Sequence, residues 1–182
     1  RQRPPVERRK HKLVQHDFQD VVHRTASPVS EAQQQFEQEY VEQAPPRRIF
    51  DGFLLLKVGK VEFPEEVTRI VVPNRNLGSI ATEDLPYFTN LKYLDASDNY
   101  LQLEDLGHIP PLYELRLRFN QLSSLGDCSL LKNLEILDLS YNNLTQDAVL
   151  ALASIPRLRV LDLSGNGFKT VPRDMRRLRK VQ

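Results

Sequence analysis

A frame of apolar residues recurs five times along this chain and predicts its architecture. In each copy, apolar residues stand at the first, fourth, sixth and eleventh positions, and in four of the five an asparagine stands at the ninth. Two copies are complete, and they consist of Leu112, Leu115, Leu117, Asn120 and Leu122, and of Leu134, Leu137, Leu139, Asn142 and Leu144. Two others carry Asn99 and Asn166, and a degenerate copy that begins at Val67 has Arg75 at the ninth position. Copies about 22 residues apart indicate a fold of stacked units.

The stacked units are expected to form an α/β solenoid with a parallel sheet on its concave face. No single copy can bury its own leucines, so neighbouring copies must share one core. The segment around the fourth and sixth positions is expected to form a short strand, about 4.8 Å from the next strand. Where the chain turns away from each strand, a buried asparagine can bond backbone groups that the turn leaves unpaired. These structural asparagines are Asn99, Asn120, Asn142 and Asn166.

The repeated strings LDASDNYL, LDLSYNNL and LDLSGNGF, which begin at residues 94, 137 and 161, resemble those of the leucine-rich-repeat family. The resemblance covers residues 51–172, including the FLLLK segment that begins at Phe53. It implies a repeat scaffold without catalytic residues. Intracellular members of the family with repeats of this length include phosphatase regulators and ciliary or microtubule-associated proteins.

The repeat signal is absent from residues 1–46, which we expect to form an extended and helical N-terminal arm. Ser30 and Gln33 fit a capping box for a helix over about residues 30–43. Its apolar stripe is thin and consists of Ala32, Phe36 and Tyr40. Two interpretations remain open: the helix covers the first edge of the solenoid, or it leans on a partner.

Residues 47–66 are expected to form an N-terminal cap, and residues 67–182 the repeats. Within the cap we predict a turn at Asp51 and Gly52, followed by a strand over residues 53–56. At the other end, Leu178 and Val181 have the spacing that opens the earlier copies. We therefore expect the sequence to be an excerpt, with a further repeat or a cap beyond Gln182.

A basic cluster lies near the start of the arm, at Arg8, Arg9, Lys10 and Lys12. It can bind an acidic filament such as a microtubule, an acidic membrane or nucleic acid, or it can be a solvated tail. The arm lacks interleaved aromatic residues, which makes nucleic acid the weaker hypothesis. The sequence has no apolar run long enough to span a membrane. Its one cysteine, Cys128, favours a reducing compartment, namely the cytoplasm or cilium, or the nucleus.

The residues expected to face a partner are the outward positions in and just after each strand. They include Tyr93, Asp95, Arg116, Arg118, Phe119, Ile136, Asp138, Tyr141, Val160 and Asp162. Arginines and aromatic residues are frequent in binding hot spots. The alternative is that Arg116 neutralises Asp95 and Asp138 on the neighbouring strands, in a ladder that stabilises the sheet and binds nothing. The sequence does not decide between these two interpretations.

The sequence carries no pattern typical of an enzyme. Its four histidines have no cysteine or acidic partner at metal-ligand spacing, and it has no phosphate-binding loop, dinucleotide fingerprint or nucleophile elbow. We expect no cofactor and no metal. The predicted function is a scaffold or adaptor that holds other proteins, tubulin or axonemal components among them. The alternative is a regulatory subunit that docks an enzyme such as a phosphatase in its concave face.

Overall fold

The computed structural model describes residues 46–168. The chain divides into two units, residues 1–45 and 46–182, and residues 46–168 belong to the second. Its strands are β1 (Arg48–Phe50), β2 (Arg69–Val71), β3 (Leu77–Ile80), β4 (Tyr93–Asp95), β5 (Glu114–Arg116), β6 (Ile136–Asp138) and β7 (Val160–Asp162). Its α-helices are α1 (Gly52–Gly59) and α2 (Leu103–Leu106), and 3₁₀ helices cover Pro64–Glu66, Leu85–Tyr87 and Ala148–Ser154. The predicted helix at 30–43 and the basic cluster lie outside the described residues.

Five parallel strands form one sheet in the order β2, β4, β5, β6 and β7. Each strand has three residues, and the middle one of each pairs in register with the next: Ile70, Leu94, Leu115, Leu137 and Leu161. Four of these five side chains are buried, whereas Leu161 on the last described strand is half-buried. The apolar positions of the frame therefore build one shared core, and the predicted α/β solenoid with a parallel sheet is confirmed.

The asparagines join neighbouring repeats from inside the turns. Asn142 Oδ1 accepts hydrogen bonds from the backbone N–H groups of Asn120 (2.9 Å) and Leu122 (3.1 Å) in the preceding repeat. Its Nδ2 donates to the carbonyls of Leu117 and Leu139, each at 2.9 Å. Asn99, Asn120 and Asn166 are also buried and bond backbone groups of their own and the preceding repeat. In the degenerate copy, the backbone N–H of Arg75 donates to Asn99.

The N-terminal cap differs from its prediction. The residues predicted to form a strand, 53–56, lie in helix α1, and the Asp51 carboxylate accepts a hydrogen bond from the Leu54 N–H (2.8 Å) as the helix N-cap. A short apolar run fits a buried strand and a buried helix equally well, so periodicity cannot separate the two. The carboxylate that satisfies a helical N–H decides for the helix. The cap strand is instead β1, which pairs in parallel with β3.

Arg47 extends the cap towards the first repeats. A Cβ at Gly78 would collide with the Arg47 side chain, so only glycine leaves room for it. The Arg47 guanidinium lies 4.1 Å from the centre of the Tyr100 ring, within the range of a cation–π contact. The backbone N–H of Arg48 donates to the carbonyl of Asn76 at 2.7 Å. These contacts hold the cap against β3 and against the residues that follow β4.

Candidate protein-binding face

The sheet turns one face away from the core, and we call it the sheet face. Strand pairing aligns its side chains in rows across the repeats. The central row is Val71, Asp95, Arg116, Asp138 and Asp162, as the frame predicts. The row beside it is Arg69, Tyr93, Glu114, Ile136 and Val160, of which the sequence interpretation omitted Arg69 and Glu114. The alternation of side chains along each strand would have placed both on this face.

Three aspartates of the central row are bonded within their own turns. Asp95 Oδ1 accepts from the Ser97 N–H (3.1 Å) and hydroxyl (2.7 Å), and Asp138 Oδ1 accepts from the same groups of Ser140 (3.0 and 2.6 Å). Asp162 accepts from the Ser164 N–H at 2.9 Å. Such short-range bonds stabilise turns. These aspartates therefore have a structural role as well as a place on the face.

The bonds to Ser164 also change the acidity of Asp162. Its pKa is lowered, first by the backbone hydrogen bond from Ser164 and then by the Ser164 hydroxyl. Partial burial opposes the shift, and the positive charge of Arg118 adds to it. The carboxylate of Asp162 consequently keeps its charge at lower pH than a free aspartate does.

In the alternative left open by the sequence, Arg116 neutralises Asp95 and Asp138, but neither aspartate forms an ion pair with it among the described residues. Arg116 instead pairs with Glu114 on its own strand, with Nη2 and Nε at 2.8 and 3.0 Å from Oε1. The longer glutamate reaches the guanidinium, and the two aspartates are held by their serines. Burial tends to lower the pKa of Arg116, but the Glu114 hydrogen bond and the charges of Tyr93, Glu114 and Asp95 together raise it. Strand β5 thus supplies the acidic partner of its own arginine.

An aromatic pair lies at the edge of the sheet face, where the chain leaves β5 and β6. The rings of Phe119 and Tyr141 are stacked, with centres 4.7 Å apart and planes inclined by 17°. Both side chains are about half exposed, at 48% and 49%. A Cβ at Gly165 would fall 2.7 Å from the Tyr141 ring, so this ring packs directly on the glycine. The pair is a rigid apolar surface open to solvent.

The aromatic pair belongs to a row in which every backbone is left-handed. The φ angles are 51° at Asn74, 55° at Asp98, Phe119 and Tyr141, and 71° at Gly165. Asparagine, aspartate and glycine tolerate this conformation, but bulky side chains rarely adopt it because their Cβ atoms crowd the backbone. Phe119 and Tyr141 therefore occupy positions that the fold alone would assign to smaller residues.

Arg118 is beside the aromatic pair and is loosely neutralised. Its Nε lies 3.8 Å from Asp138 Oδ2, beyond hydrogen-bond distance. The guanidinium is 5.8 Å from the centre of the Phe119 ring and 5.5 Å from that of Tyr141. Two nearly equal distances to stacked rings place the cation at their edges, level with the gap between them. Ring edges carry partial positive charge, so the rings bind this cation weakly.

The rest of the sheet face is a stacked arginine–tyrosine pair and an apolar end. The Arg69 guanidinium lies 3.5 Å from the centre of the Tyr93 ring. At the other end of the same row, Ile136 is half-buried and Val160 is 46% exposed. The candidate residues thus share one face, with charged groups between an aromatic edge and an apolar end.

No helix between residues 46 and 168 is long and apolar enough to cross a membrane. The same part of the chain holds no group of three or more histidine, cysteine, aspartate or glutamate side chains placed to bind a metal ion.

Cys128 is fully buried, and burial, followed by the charges of Asp127 and Glu104, raises the pKa of its thiol to about 11.

Comparison with known families agrees with this fold. A family model described as a leucine-rich repeat matches residues 110–168. Together with the parallel sheet and the asparagines of the turns, this match places the chain in the leucine-rich-repeat family, as the sequence strings predicted.

The chain resembles X-ray radiation resistance-associated protein 1 of Mus musculus. The two are 37% identical over 131 residues, which is 70% of this chain and 16% of that protein. Human Toll-like receptor 2 is 34% identical over 107 residues, covering 59% of this chain and 13% of the receptor. The chain therefore spans less than a fifth of the length of either relative. A solved internalin from Listeria monocytogenes is 27% identical, with a TM-score of 0.45, over 57% of this chain and 29% of the internalin.

Proposed function

We propose that the chain is a non-catalytic scaffold or adaptor that holds another protein on its sheet face. Leucine-rich-repeat proteins bind other proteins, and this coarser function follows from the family. The observation that supports binding on the sheet face is the aromatic pair of Phe119 and Tyr141. Phe119 and Tyr141 keep exposed rings at left-handed backbone positions.

The conformational cost of the aromatic pair supports a role in binding. A left-handed backbone costs a residue with a side chain roughly 1–2 kcal/mol relative to the right-handed form. Stacking of two rings returns about 0.5–1.5 kcal/mol. Two left-handed residues together cost about 2–4 kcal/mol, so stacking leaves the pair net unfavourable for folding, and glycine at either position would avoid the cost at that residue. Exposed aromatic residues next to an arginine have the composition of a binding hot spot.

The central strand adds groups that a partner can reach. In three of the five turns an aspartate accepts a hydrogen bond from the serine two residues later. In β5 and the residues after it, Arg116 and Arg118 stand at these two positions. Arg118 in particular retains donors for a partner, because its ion pair with Asp138 is long.

For the partner we propose a ciliary or microtubule-associated assembly in the cytoplasm or cilium. This finer proposal rests on the basic cluster of Arg8, Arg9, Lys10 and Lys12, which complements an acidic filament surface such as tubulin. A second contact by the arm would raise the effective concentration of the sheet face at the filament. Co-sedimentation of the full chain with microtubules should weaken steeply with salt, and replacement of the four basic residues by glutamine should remove that dependence. Equal salt dependence of the two proteins would refute the role of the cluster.

The use of the sheet face can be tested by pull-down with two matched variants. Val160→Asp places a charge on the apolar end of the face, and Leu130→Asp does the same in the segment between β5 and β6. The two side chains are almost equally exposed, at 46% and 45%. The full chain and Leu130→Asp should capture the same partners from an extract of ciliated cells, and Val160→Asp should lose them. Capture that survives in Val160→Asp but not in Leu130→Asp would refute the assignment to the sheet face.

The identity of the captured proteins separates the two candidate functions. Tubulin or axonemal components favour the scaffold. A phosphatase or another enzyme at stoichiometric yield would favour a regulatory subunit instead. Mass spectrometry of the proteins that Val160→Asp fails to capture provides this distinction.

A further inference from the structure

Among residues 46–168, no ring or guanidinium stacks on the outer face of the Phe119 ring, the face that points away from Tyr141. Along the left-handed row the order is Asp98, Phe119, Tyr141 and Gly165, so Tyr141 covers one face of Phe119 and rests on Gly165 with its other face. Arg118 lies at the edges of both rings and covers neither outer face. The position beyond Phe119 belongs to Asp98.

Asp98 has the backbone conformation of the two aromatic residues and a much shorter side chain. All three have a φ of 55°, which directs their Cβ atoms the same way. Neighbouring strands are about 4.8 Å apart, which is close to the separation of two stacked planar groups. Because the aspartate is short, it leaves a space beyond its carboxylate and against the outer face of the Phe119 ring. We call this space the slot, and it is about one planar group wide.

The charge of Asp98 is not neutralised within the described residues. Arg116 pairs with Glu114, Arg118 with Asp138, and Arg159 with Glu135. Asp95, Asp138 and Asp162 accept hydrogen bonds from serines. In the same part of the chain, the exposed carboxylate of Asp98 takes part in no hydrogen bond or ion pair, although its backbone N–H donates to the carbonyl of Arg118.

The chain itself shows how its aromatic rings are covered elsewhere. Tyr93 carries the guanidinium of Arg69 at 3.5 Å, and Tyr100 carries that of Arg47 at 4.1 Å. Arginine suits such places because its planar cation stacks on a ring and can still donate two parallel hydrogen bonds to a carboxylate. The slot offers a ring face and a carboxylate side by side, without an arginine.

We propose that the slot between Phe119 and Asp98 binds an arginine side chain of the partner protein. This inference rests on the proposed function, since it names the chemistry of a partner that the sheet face would hold. The guanidinium stacks on the outer face of Phe119 and donates to the Asp98 carboxylate. An acidic side chain bound to the donors that Arg118 retains is the competing possibility, and it would occupy the ring edges instead of the outer face of Phe119.

The proposal can be tested without knowing the partner. The probe is the blocked tripeptide N-acetyl-Gly-Arg-Gly-amide, titrated into the isotope-labelled full chain and followed by NMR. Matched tripeptides with lysine or glutamate in the middle serve as comparisons. The arginine peptide should shift the amide resonances of Asp98 and Phe119, and its own side-chain methylene signals should move upfield in the field of the ring. Its affinity should exceed that of the lysine peptide, and the glutamate peptide should leave these resonances unmoved.

Two variants and one control make the test specific. Asp98→Asn should weaken binding of the arginine peptide about two- to fivefold, the range expected for one exposed ion pair. Asp147→Asn makes the same change of charge at an exposed site in the segment after β6, and should bind as the parent does. Phe119→Leu should abolish the upfield shift, and an unfolding curve shows whether that variant is folded.

Several outcomes would overturn the proposal. Equal affinity of Asp98→Asn and the parent would exclude the carboxylate, and equal affinity for lysine and arginine would exclude stacking of a planar cation. Glutamate binding with shifts at Arg118 would assign the site to an anion instead. None of these results depends on capture of a partner, so the slot can fail while the pull-down with Val160→Asp still supports binding on the sheet face, and the reverse can also occur.

Discussion

Tyr141 and Asn142 are adjacent in the chain, yet they belong to opposite sides of the same turn. Tyr141 is 49% exposed and stacks on Phe119 at the surface, whereas Asn142 is 4% exposed and bonds five backbone groups of two repeats. The inner side of the turns is therefore alike in the four repeats that carry an asparagine, because each of them must satisfy the same backbone groups. The outer side varies from repeat to repeat and is available for recognition.

Strands β6 and β5 show the same contrast between residues that stabilise the fold and residues that are available for recognition. At β6 the Asp138 carboxylate bonds the N–H and hydroxyl of Ser140 and helps to hold the turn. At β5 the equivalent positions carry Arg116 and Arg118, and no serine bond replaces the one that is missing. The polar residues of β6 therefore stabilise its turn, whereas those of β5 are exposed to solvent.

The largest expected effect is on the inner side of the turns. Asn142→Ala should lower the free energy of unfolding by about 1–3 kcal/mol, because buried N–H and carbonyl groups lose their partner. Asn143→Ala is the control, since Asn143 is exposed and bonds Leu122 only through its backbone N–H. Its effect should stay within about 0.5 kcal/mol. Urea unfolding followed by circular dichroism measures both, and an unchanged midpoint for Asn142→Ala would refute the structural role of the asparagines.

A smaller difference should separate the two kinds of strand. Asp138→Ala removes the acceptor for two bonds within the turn and should cost about 1 kcal/mol. Arg116→Ala removes a pair between exposed groups and should change stability by less than about 0.5 kcal/mol. The same unfolding assay compares them. A larger loss for Arg116→Ala would mean that the arginine stabilises the sheet and that the contrast between β5 and β6 is false.

The smallest effect concerns the pH dependence of stability at Asp162. Because its pKa is lowered in the folded state by the two bonds from Ser164, its contribution to stability is complete above the pKa of the unfolded chain. That contribution is lost as the pH falls through the folded-state value. The gap in melting temperature between the parent and Asp162→Asn should therefore narrow as the pH is lowered from about 7 to about 2. A gap that widens towards low pH would contradict the direction of the shift.

The sequence predicted the repeats well because each inward residue is one of a series. The partners of Leu115 on both neighbouring strands follow from the frame alone, since a slip by one residue would expose the entire series. The cap has no such series. Its apolar run around Leu54 and Leu55 fits the predicted strand as well as a helix, and the hydrogen bond to Asp51 distinguishes the helix.

The sequence predicts which residues lie on the sheet face better than it predicts how their side chains pair. The frame places Arg116 in a row with Asp95 and Asp138, but the choice of Glu114 as its partner depends on side-chain length and on the serines that hold the aspartates. The left-handed backbone of Phe119 and Tyr141 has no signal in their side chains, because aromatic residues do not favour it. Asn74, Asp98 and Gly165 in the same row are the clues in the sequence, because these residue types tolerate a left-handed backbone.

The central claim is that the outer side of the turns binds and the inner side holds the fold. The most direct measurement compares Tyr141→Asn with Asn142→Ala in the full chain, by affinity for the partner obtained in the pull-down and by urea unfolding. Asparagine tolerates the left-handed backbone, so Tyr141→Asn should keep the stability of the parent to within about 1 kcal/mol. It should lose affinity by about tenfold or more, as removal of a hot-spot aromatic does. Unchanged affinity, or a loss of stability as large as that of Asn142→Ala, would contradict the claim.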